Sequence, residues 1–183
     1  QSDLSPSLDE VRHGNGTDRP SRSVSLLFEG ETNEVTLTRF EATKLIVDAA
    51  DDQILIGNTG FPSKEMFAAG DRPLNFYMLG SLGLASSIGI GLSMGQRRDV
   101  WVLDGDGSLL MNPNAIMSAV SFGRDNLTII AIDNASWGST GGQVTPTLDR
   151  FDLELLARSY GILNTHRVHC GSELEAALEA KGK

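Results

Sequence analysis

The sequence predicts an α/β fold: a doubly wound, mainly parallel sheet with helices on both faces. Short aliphatic runs alternate with helix-like segments along most of the chain, and this alternation is typical of parallel sheets. Some runs, such as "VWVL" at residues 100–103, are apolar throughout and end at glycine-containing turns, as buried parallel strands do. Ligands of such sheets bind beyond the carboxyl ends of the strands, so the residues after each strand are the first candidates for function.

Composition narrows the class of protein. The 183 residues suit one domain. Residues 1–23 are rich in Ser, Pro, Gly, Asp and Arg and are expected to form a disordered leader, which leaves 24–183 as a single domain. The leader lacks the apolar core of a secretory signal, and a single cysteine excludes an internal disulfide or a thiolate metal cage. We therefore expect a cytoplasmic protein.

Charge argues against some partners. The formal net charge is -9 and the isoelectric point is near 4.7, so the surface repels nucleic-acid backbones. No apolar run reaches the roughly 20 residues that cross a bilayer. Neither nucleic acid nor a membrane is an expected partner.

The first elements combine a hairpin with a capped helix. Two β-rich runs, at 24–30 and 33–38, flank a polar turn and predict a hairpin. Thr38 and Glu41 then form a T-x-x-E capping box, which predicts a helix over residues 40–50.

From there, apolar runs predict strands and periodic segments predict helices. Strands are predicted at 53–57, 75–79, 100–103, 127–132 and 165–169. Helices are predicted at 63–69, 82–95, 113–123, 151–161 and 172–182.

The glycine-rich loops do not fit the common phosphate-binding patterns. "GNTGFPSK" lacks the Gly-Lys pair of a P-loop. "GIGLSMG" has one residue too many for G-x-G-x-x-G and lies in a predicted helix, where its glycines would allow close packing. "GDGSLL" lacks a third glycine, so a dinucleotide fingerprint is also unsupported.

One combination does predict a metal site. Asp106 lies between Gly105 and Gly107, and Asn134 follows the next strand 28 positions later. Both oxygen-bearing side chains should emerge at the same edge of the sheet. Mg²⁺ prefers oxygen ligands and takes few from the protein when a phosphate supplies others. The flanking glycines would let a diphosphate approach the main chain, and a backbone carbonyl near Ser136 would add a third ligand.

A helix beyond this motif would favour the same anion. Pro113 suits the first turn of a helix, and Asn112 is a candidate N-cap. The N-terminus of such a helix attracts phosphate.

These stretches resemble the thiamine-diphosphate-dependent 2-oxoacid decarboxylases. They also resemble the beta subunits of sulfopyruvate decarboxylases, in the stretches "GNTGFPSKEM", "NFYMLGSLGLASSIGIGLS", "GDGSLLMN" and "DNASWGSTGGQ". Phosphonopyruvate decarboxylases share much of this pattern. The family usually has two asparagines at the metal turn, whereas this chain has Asp133 and Asn134. The resemblance implies thiamine diphosphate and Mg²⁺ as cofactors.

The resemblance also implies roles for individual residues. Asp106, Asn134 and Ser136 would ligate the metal. The carbonyl of Gly80 would receive the cofactor's 4'-amino group, and Leu82 would wedge its two rings into a V. The alternative for Leu82 is an ordinary core residue. The implied cofactor-binding set is Thr59, Gly80, Ser81, Leu82, Gly105, Asp106, Gly107, Ser108, Asn134, Ser136, Gly138 and Ser139.

The implied reaction is decarboxylation of 3-sulfopyruvate to sulfoacetaldehyde and CO2, a step in coenzyme M biosynthesis. The family's activating glutamate has no counterpart here, so the resemblance implies an alpha subunit with a pyrimidine-binding domain and at least two copies of each chain. Lys64 and Arg72 are weak candidates for the substrate anion.

Three alternatives remain open at this point. The substrate could be phosphonopyruvate, or the chain could be a non-catalytic module that binds the cofactor for assembly or regulation. A ferredoxin oxidoreductase subunit is disfavoured because one cysteine cannot hold an iron–sulfur cluster.

Overall fold

A computed structural model describes residues 36–181 of the chain. The predicted leader and almost all of the predicted hairpin lie outside these residues. The described helices are α1 (Arg39–Ala49), α2 (Phe61–Ala69), α3 (Ala85–Gly95), α4 (Asp106–Met111), α5 (Asn114–Phe122), α6 (Leu153–Ser159) and α7 (Gly171–Lys181), with a 3-10 turn at Pro146–Leu148. The strands are β1 (Ile54–Gly57), β2 (Asn75–Tyr77), β3 (Val100–Gly105), β4 (Leu127–Ile132), β5 (Ser136–Trp137) and β6 (Gln143–Val144).

Four strands form the predicted parallel sheet, in the order β2-β1-β3-β4. The chain runs from β1 outward to β2 and then crosses back to place β3 on the other side of β1. The strand order therefore reverses between β1 and β3. In open α/β sheets the ligand crevice lies at such a reversal, beyond the carboxyl ends of the two strands.

Helices cover both faces of the sheet. Leu55 packs on one face in a cluster with residues of α1, α2 and α7, and its neighbour Ile56 packs on the other face beside Ala85 of α3. In β3, Trp101 and Leu103 join the first cluster while the adjacent valines join the second. Successive side chains of a strand point to opposite faces, which is why these runs are apolar throughout.

The capping box that begins α1 is present as predicted. The Thr38 hydroxyl accepts a hydrogen bond from the Glu41 N–H at 3.2 Å, and the Glu41 carboxylate accepts one from the Thr38 N–H at 2.8 Å. Two N–H groups that the helix itself cannot satisfy are thereby paired.

Several predicted elements differ from the structure. The segment 165–169 is not a strand; Val168 packs on the core, but the backbone does not pair with β4. Helix α4 and the hairpin of β5 and β6 were not predicted. Asn112 is not the N-cap of α5, because its side chain donates instead to the Gly83 carbonyl at 2.9 Å.

Among the described helices, none combines the length and the apolar character needed to cross a membrane.

Candidate functional site

A cavity of about 250 Å³ opens where the strand order reverses. The loops after β1, β3 and β4 contribute most of its lining. Its lining residues are Arg39, Asn58, Thr59, Gly60, Phe61, Pro62, Leu82, Asp104, Gly105, Asp106, Gly107, Ser108, Ile132, Asn134, Ser136, Trp137, Gly138, Ser139 and Thr140. The structure thus brings most of the predicted site residues together in one crevice.

Asp106 forms the buried floor of the cavity. It is only 2% exposed and is the first residue of α4. Its Oδ2 accepts hydrogen bonds from the hydroxyls of Thr145 and Thr147. Within residues 36–181 no Lys, Arg or His forms an ion pair with it. A buried carboxylate with hydroxyl partners alone is electrostatically incomplete, which suits a bound cation.

The helix that faces the crevice is therefore α4 rather than α5. Asp106 lies in the first turn of α4, and the N-cap is Gly105. The sequence placed the anion-favouring helix N-terminus near Pro113, seven positions later. The structure corrects this because six residues after the strand already form a helix.

The turn after β4 supplies the second predicted ligand. Asn134 Oδ1 accepts a hydrogen bond from the Ser136 N–H at 3.2 Å, and Ala135 between them is left-handed with φ of 52°. A non-glycine residue rarely adopts this conformation. The turn exposes Asn134 at the cavity, and Ser136 and Gly138 also line it.

Trp137 covers Gly107. A Cβ on Gly107 would lie 2.0 Å from Trp137 Nε1 and 2.3 Å from its Cδ1. We expected both glycines of the motif to let a diphosphate approach the main chain. For Gly107 the side-chain direction is occupied by the indole, so close packing with β5 is what requires this glycine.

The loop after β1 meets the turn after β4 at Ser139. The Ser139 hydroxyl accepts a hydrogen bond from the Phe61 N–H at 3.2 Å. Gly60, at φ of 89°, would place a Cβ 2.3 Å from that hydroxyl, so both its backbone conformation and its surroundings require glycine. Thr59 and Ser139 thus lie on the same wall of the cavity. Both were predicted to contact a diphosphate.

The loop that carries Leu82 is held against α4. The Gly83 N–H donates to the Ser108 hydroxyl at 3.1 Å, and Asn112 bonds the Gly83 carbonyl. Leu82 lines the cavity and is 40% exposed, which argues against the alternative of an ordinary core leucine. Gly80 and Ser81 are exposed and lie outside the cavity lining.

Asp104 is a second buried carboxylate of the crevice, which sequence reasoning did not single out. It is 1% exposed and accepts a hydrogen bond from the Ser86 hydroxyl at 2.8 Å. Burial raises the pKa of Asp104, and hydrogen bonds from Ser108, Ser86 and the Gly105 N–H oppose that rise. The Ser108 hydroxyl, predicted to contact a diphosphate, is thus engaged by protein groups.

Arg39 and Asn58 are further lining residues that sequence reasoning missed. Arg39 bonds Glu65 through two nitrogens, at 2.7 and 2.6 Å. The hydrogen bond to Glu65 raises the pKa of Arg39 although burial opposes it. Asn58 is 3% exposed, and its Oδ1 accepts from the Thr59 N–H at 2.7 Å. Asn58 directly follows a predicted strand, so its position was a usable signal.

The two weak substrate candidates lie apart from the cavity lining. Arg72 donates to the backbone carbonyls of Asp51 and Gln53, just before β1 begins. Arg72 therefore lies at the opposite end of β1 from the crevice. This position argues against the predicted role of Arg72 in substrate binding. Lys64 Nζ lies 5.7 Å from the centre of the Phe61 ring but does not itself line the cavity.

The residues present fit a magnesium diphosphate. In the described part of the chain, no three His, Cys, Asp or Glu side chains cluster as a metal cage. The crevice instead offers the Asp106 carboxylate, the Asn134 amide and backbone oxygens. Mg²⁺ bound by so few protein groups completes its shell from phosphate and water.

Comparisons with known proteins agree with this geometry. Residues 56–181 match the family model for the C-terminal TPP-binding domain of thiamine pyrophosphate enzymes. A solved structure of benzoylformate decarboxylase from Polynucleobacter necessarius superimposes with a TM-score of 0.67 at 18% identity, over 84% of this chain and 32% of that one. The likeness shows a shared fold.

Curated relatives are more similar in sequence. A sulfopyruvate decarboxylase of Methanosarcina acetivorans is 48% identical over 79% of this chain and 36% of its own length. Sulfopyruvate decarboxylase subunit beta of Methanothermobacter thermautotrophicus is 44% identical over 80% of this chain and 78% of its own. Phosphonopyruvate decarboxylase of Streptomyces viridochromogenes is 33% identical over 74% of this chain and 34% of its own length. The chain thus spans about a third of the first and third relatives.

Proposed function

The chain belongs to the thiamine pyrophosphate enzymes, as a C-terminal TPP-binding domain, and from this premise we propose that it is the cofactor-binding subunit of a sulfopyruvate decarboxylase. One observation carries the proposal: the match extends along most of a relative that is itself named subunit beta. The expected reaction converts 3-sulfopyruvate to sulfoacetaldehyde and CO2. The proposal includes a cytoplasmic location, supported by the single free cysteine, Cys170.

The crevice residues would divide the binding of thiamine diphosphate and Mg²⁺ among them. Asp106, Asn134 and the Ser136 carbonyl would hold the metal. Thr59, Gly138 and Ser139 line the wall where the diphosphate would lie. When bound, thiamine diphosphate supplies the electron sink for the loss of CO2 from a 2-oxoacid.

Leu82 would support the reactive end of the cofactor. It projects into the cavity from a loop that Ser108 and Asn112 hold in place. A half-exposed leucine on a fixed loop is suited to contact an apolar ring. Its bulk would keep the two rings of the cofactor folded over one another.

The proposal assigns the carboxylate that activates the pyrimidine to a second chain. The only carboxylates that line the cavity in the described residues are Asp104 and Asp106, and Asp106 is assigned to the metal while Asp104 is bound by serines. Neither resembles a carboxylate free to activate the pyrimidine. The proposal therefore includes an alpha subunit with a pyrimidine-binding domain, in a hetero-oligomer with at least two copies of each chain. The name subunit beta of the Methanothermobacter relative supports a partner subunit.

The test is to assay the chain with and without an alpha subunit that co-purifies with it. We expect release of CO2 from 3-sulfopyruvate only from the complex, and only with thiamine diphosphate and Mg²⁺ present. Turnover by the isolated chain would overturn the shared site. A complex that binds the cofactor and stays inactive on 2-oxoacids would instead support a non-catalytic module.

Phosphonopyruvate is the second candidate substrate, because relatives that bear that name are 33% and 34% identical to this chain over the aligned residues. It carries a more highly charged tail than 3-sulfopyruvate. Steady-state kinetics of the complex with both acids would separate them. We expect the larger kcat/KM for 3-sulfopyruvate, and the reverse order would replace our proposal with the second candidate.

A further inference from the structure

We propose that Arg39 binds the phosphate end of the cofactor, as a fixed positive charge at the wall of the cavity. The inference rests on the proposed function, which places a diphosphate in this crevice. Arg39 is the first residue of α1, which precedes all the glycine-rich loops in sequence, so no motif marks it.

Two contacts hold the guanidinium in one orientation. The Glu65 carboxylate accepts hydrogen bonds from Arg39 Nε at 2.7 Å and Nη2 at 2.6 Å. The guanidinium carbon lies 5.1 Å from the centre of the Phe61 ring, which it faces. Both partners belong to α2, so the side chain is fastened across the gap between two helices. A guanidinium fixed in this way loses little entropy when it binds an anion.

The remaining nitrogen, Nη1, faces the cavity. It forms no hydrogen bond to another described residue, and it lies 3.6 Å from the position that a Cβ on Gly138 would take. Gly138 lines the cavity beside Ser139 and Thr59. A Cβ at position 138 would therefore lie in van der Waals contact with Nη1.

The negative charges in the cavity lining favour a cation at this position. Arg39 is the only Lys or Arg among the described residues that line the cavity, which also contains the carboxylates of Asp104 and Asp106. A diphosphate would bring further negative charge, and one Mg²⁺ neutralises only part of it. Charge-assisted hydrogen bonds from Arg to phosphate are among the strongest that proteins form.

Lys64 provides a matched comparison. Its Nζ lies over the same Phe61 ring, at 5.7 Å, and it carries the same charge. It does not line the cavity and has no hydrogen bond to an acidic partner in the described residues. Loss of either cation changes the net charge equally, but only loss of Arg39 removes a donor from the cavity wall.

The experiment measures binding of magnesium pyrophosphate to the full chain by calorimetry, with magnesium and inorganic phosphate as a second probe. The variants are Arg39→Gln, Glu65→Gln and Lys64→Gln. Arg39→Gln and Glu65→Gln break the same ion pair, and Arg39→Gln also removes the contact with the Phe61 ring. They differ in charge, because one removes the cation and the other removes the carboxylate that partly neutralises it.

We expect Arg39→Gln to weaken pyrophosphate binding about tenfold and to weaken phosphate binding less. We expect Glu65→Gln to bind pyrophosphate as well as the unaltered chain or better, and Lys64→Gln to differ from it by less than about twofold. Equal losses in Arg39→Gln and Glu65→Gln would overturn the inference, since they would show a purely structural ion pair. Equal losses in Arg39→Gln and Lys64→Gln would also overturn it.

The same measurement separates this inference from the proposed function. If the unaltered chain fails to bind pyrophosphate with magnesium, the diphosphate site itself is wrong. If it binds, and Arg39→Gln binds equally well, only the role of Arg39 is wrong.

Discussion

Gly89 of α3 lies so close to Val102 of β3 that a Cβ on the glycine would be 2.3 Å from Val102 Cγ2. Val102 is fully buried, so it cannot move aside at low cost. The helix and the strand therefore approach each other only because position 89 has no side chain. This agrees with the expectation of close packing for Gly89 of "GIGLSMG", whereas a Cβ on Gly91 or Gly95 would meet nothing within 4 Å.

We expect Gly89→Ala and Gly91→Ala to change stability in opposite directions. The first overpacks the core and should lower the free energy of unfolding by about 1–3 kcal/mol. Gly91 lies in the same helix, with open space around its missing Cβ, so Gly91→Ala should raise that free energy by about 0.5–1 kcal/mol. Urea unfolding measures both. Destabilisation by Gly91→Ala would show that its face of α3 is covered in the folded protein.

A second matched pair lies within the Gly-Asp-Gly motif. Gly107→Ala should displace the Trp137 indole, lower the free energy of unfolding by about 1–3 kcal/mol and change the tryptophan emission. A Cβ on Gly105 would meet nothing closer than 4.0 Å, so Gly105→Ala should cost less than about 1 kcal/mol. If the two substitutions cost the same, Trp137 does not rest on Gly107.

Sequence reasoning was accurate where burial decides the structure. The runs of β1 and β3 are apolar because helices cover both faces of the sheet there, and these strands and β4 are where the pattern predicts. Sequence reasoning failed for the elements that consist of only a few residues. Helix α4 has six residues, too few to show a period, and β5 and β6 have two each.

The site was predictable to the extent that it follows from topology. Residues after parallel strands converge at one edge, which placed Asp106 and Asn134 in one crevice. The site residues that the sequence did not predict are brought there by contacts between distant parts of the chain. Arg39 meets Glu65 26 positions away, and Thr145 meets Asp106 39 positions away, so no local pattern contains them.

Asp106→Asn should remove magnesium-dependent cofactor binding and leave the fold intact. The amide keeps an oxygen that Thr145 and Thr147 can bond but loses the charge that attracts the metal. We expect the affinity for thiamine diphosphate to fall about 100-fold or more in magnesium, measured by calorimetry on the complex. Asp133→Asn is the control: Asp133 is exposed and bonds the Ala135 N–H and Thr147. If Asp133→Asn had the larger effect, the metal turn would be assigned one residue too late.

The ion pair between Asp152 and Arg167, at the start of α6, should make the free energy of unfolding depend on pH in the acidic range. Asp152 caps α6 by accepting from the Leu155 N–H at 3.0 Å, and its other oxygen accepts from Arg167. Burial alone would raise the pKa of Asp152, but the hydrogen bonds from Arg167 and Leu155 outweigh it and the pKa is lowered. The unfolded chain therefore binds this proton more readily than the folded one, so the stability is present above about pH 4 and is lost as pH falls through the folded pKa.

We expect Asp152→Asn, which keeps a capping oxygen, to lower the free energy of unfolding by about 0.5 kcal/mol at pH 7, because the pair is partly exposed. That difference should shrink toward zero as pH falls below 4. Asp152→Ala also loses the cap and should cost about 1 kcal/mol more. Urea unfolding between pH 3 and 7 measures both. A cost of Asp152→Asn that stayed constant over this range would exclude the charge as its cause.

A comparison of Leu82 with its neighbour Leu84 separates an effect on stability from an effect on catalysis, because Leu84 serves as the control. The two leucines are 40% and 44% exposed, but only Leu82 lines the cavity. Truncation of either to alanine should cost about 1 kcal/mol or less in stability, below the loss expected for a buried leucine. In the complex, Leu82→Ala should lower kcat for 3-sulfopyruvate at least about tenfold, as loss of a positioning contact does, whereas Leu84→Ala should leave kcat within about twofold. Equal kcat values for the two variants would mean that Leu82 does not shape the cofactor.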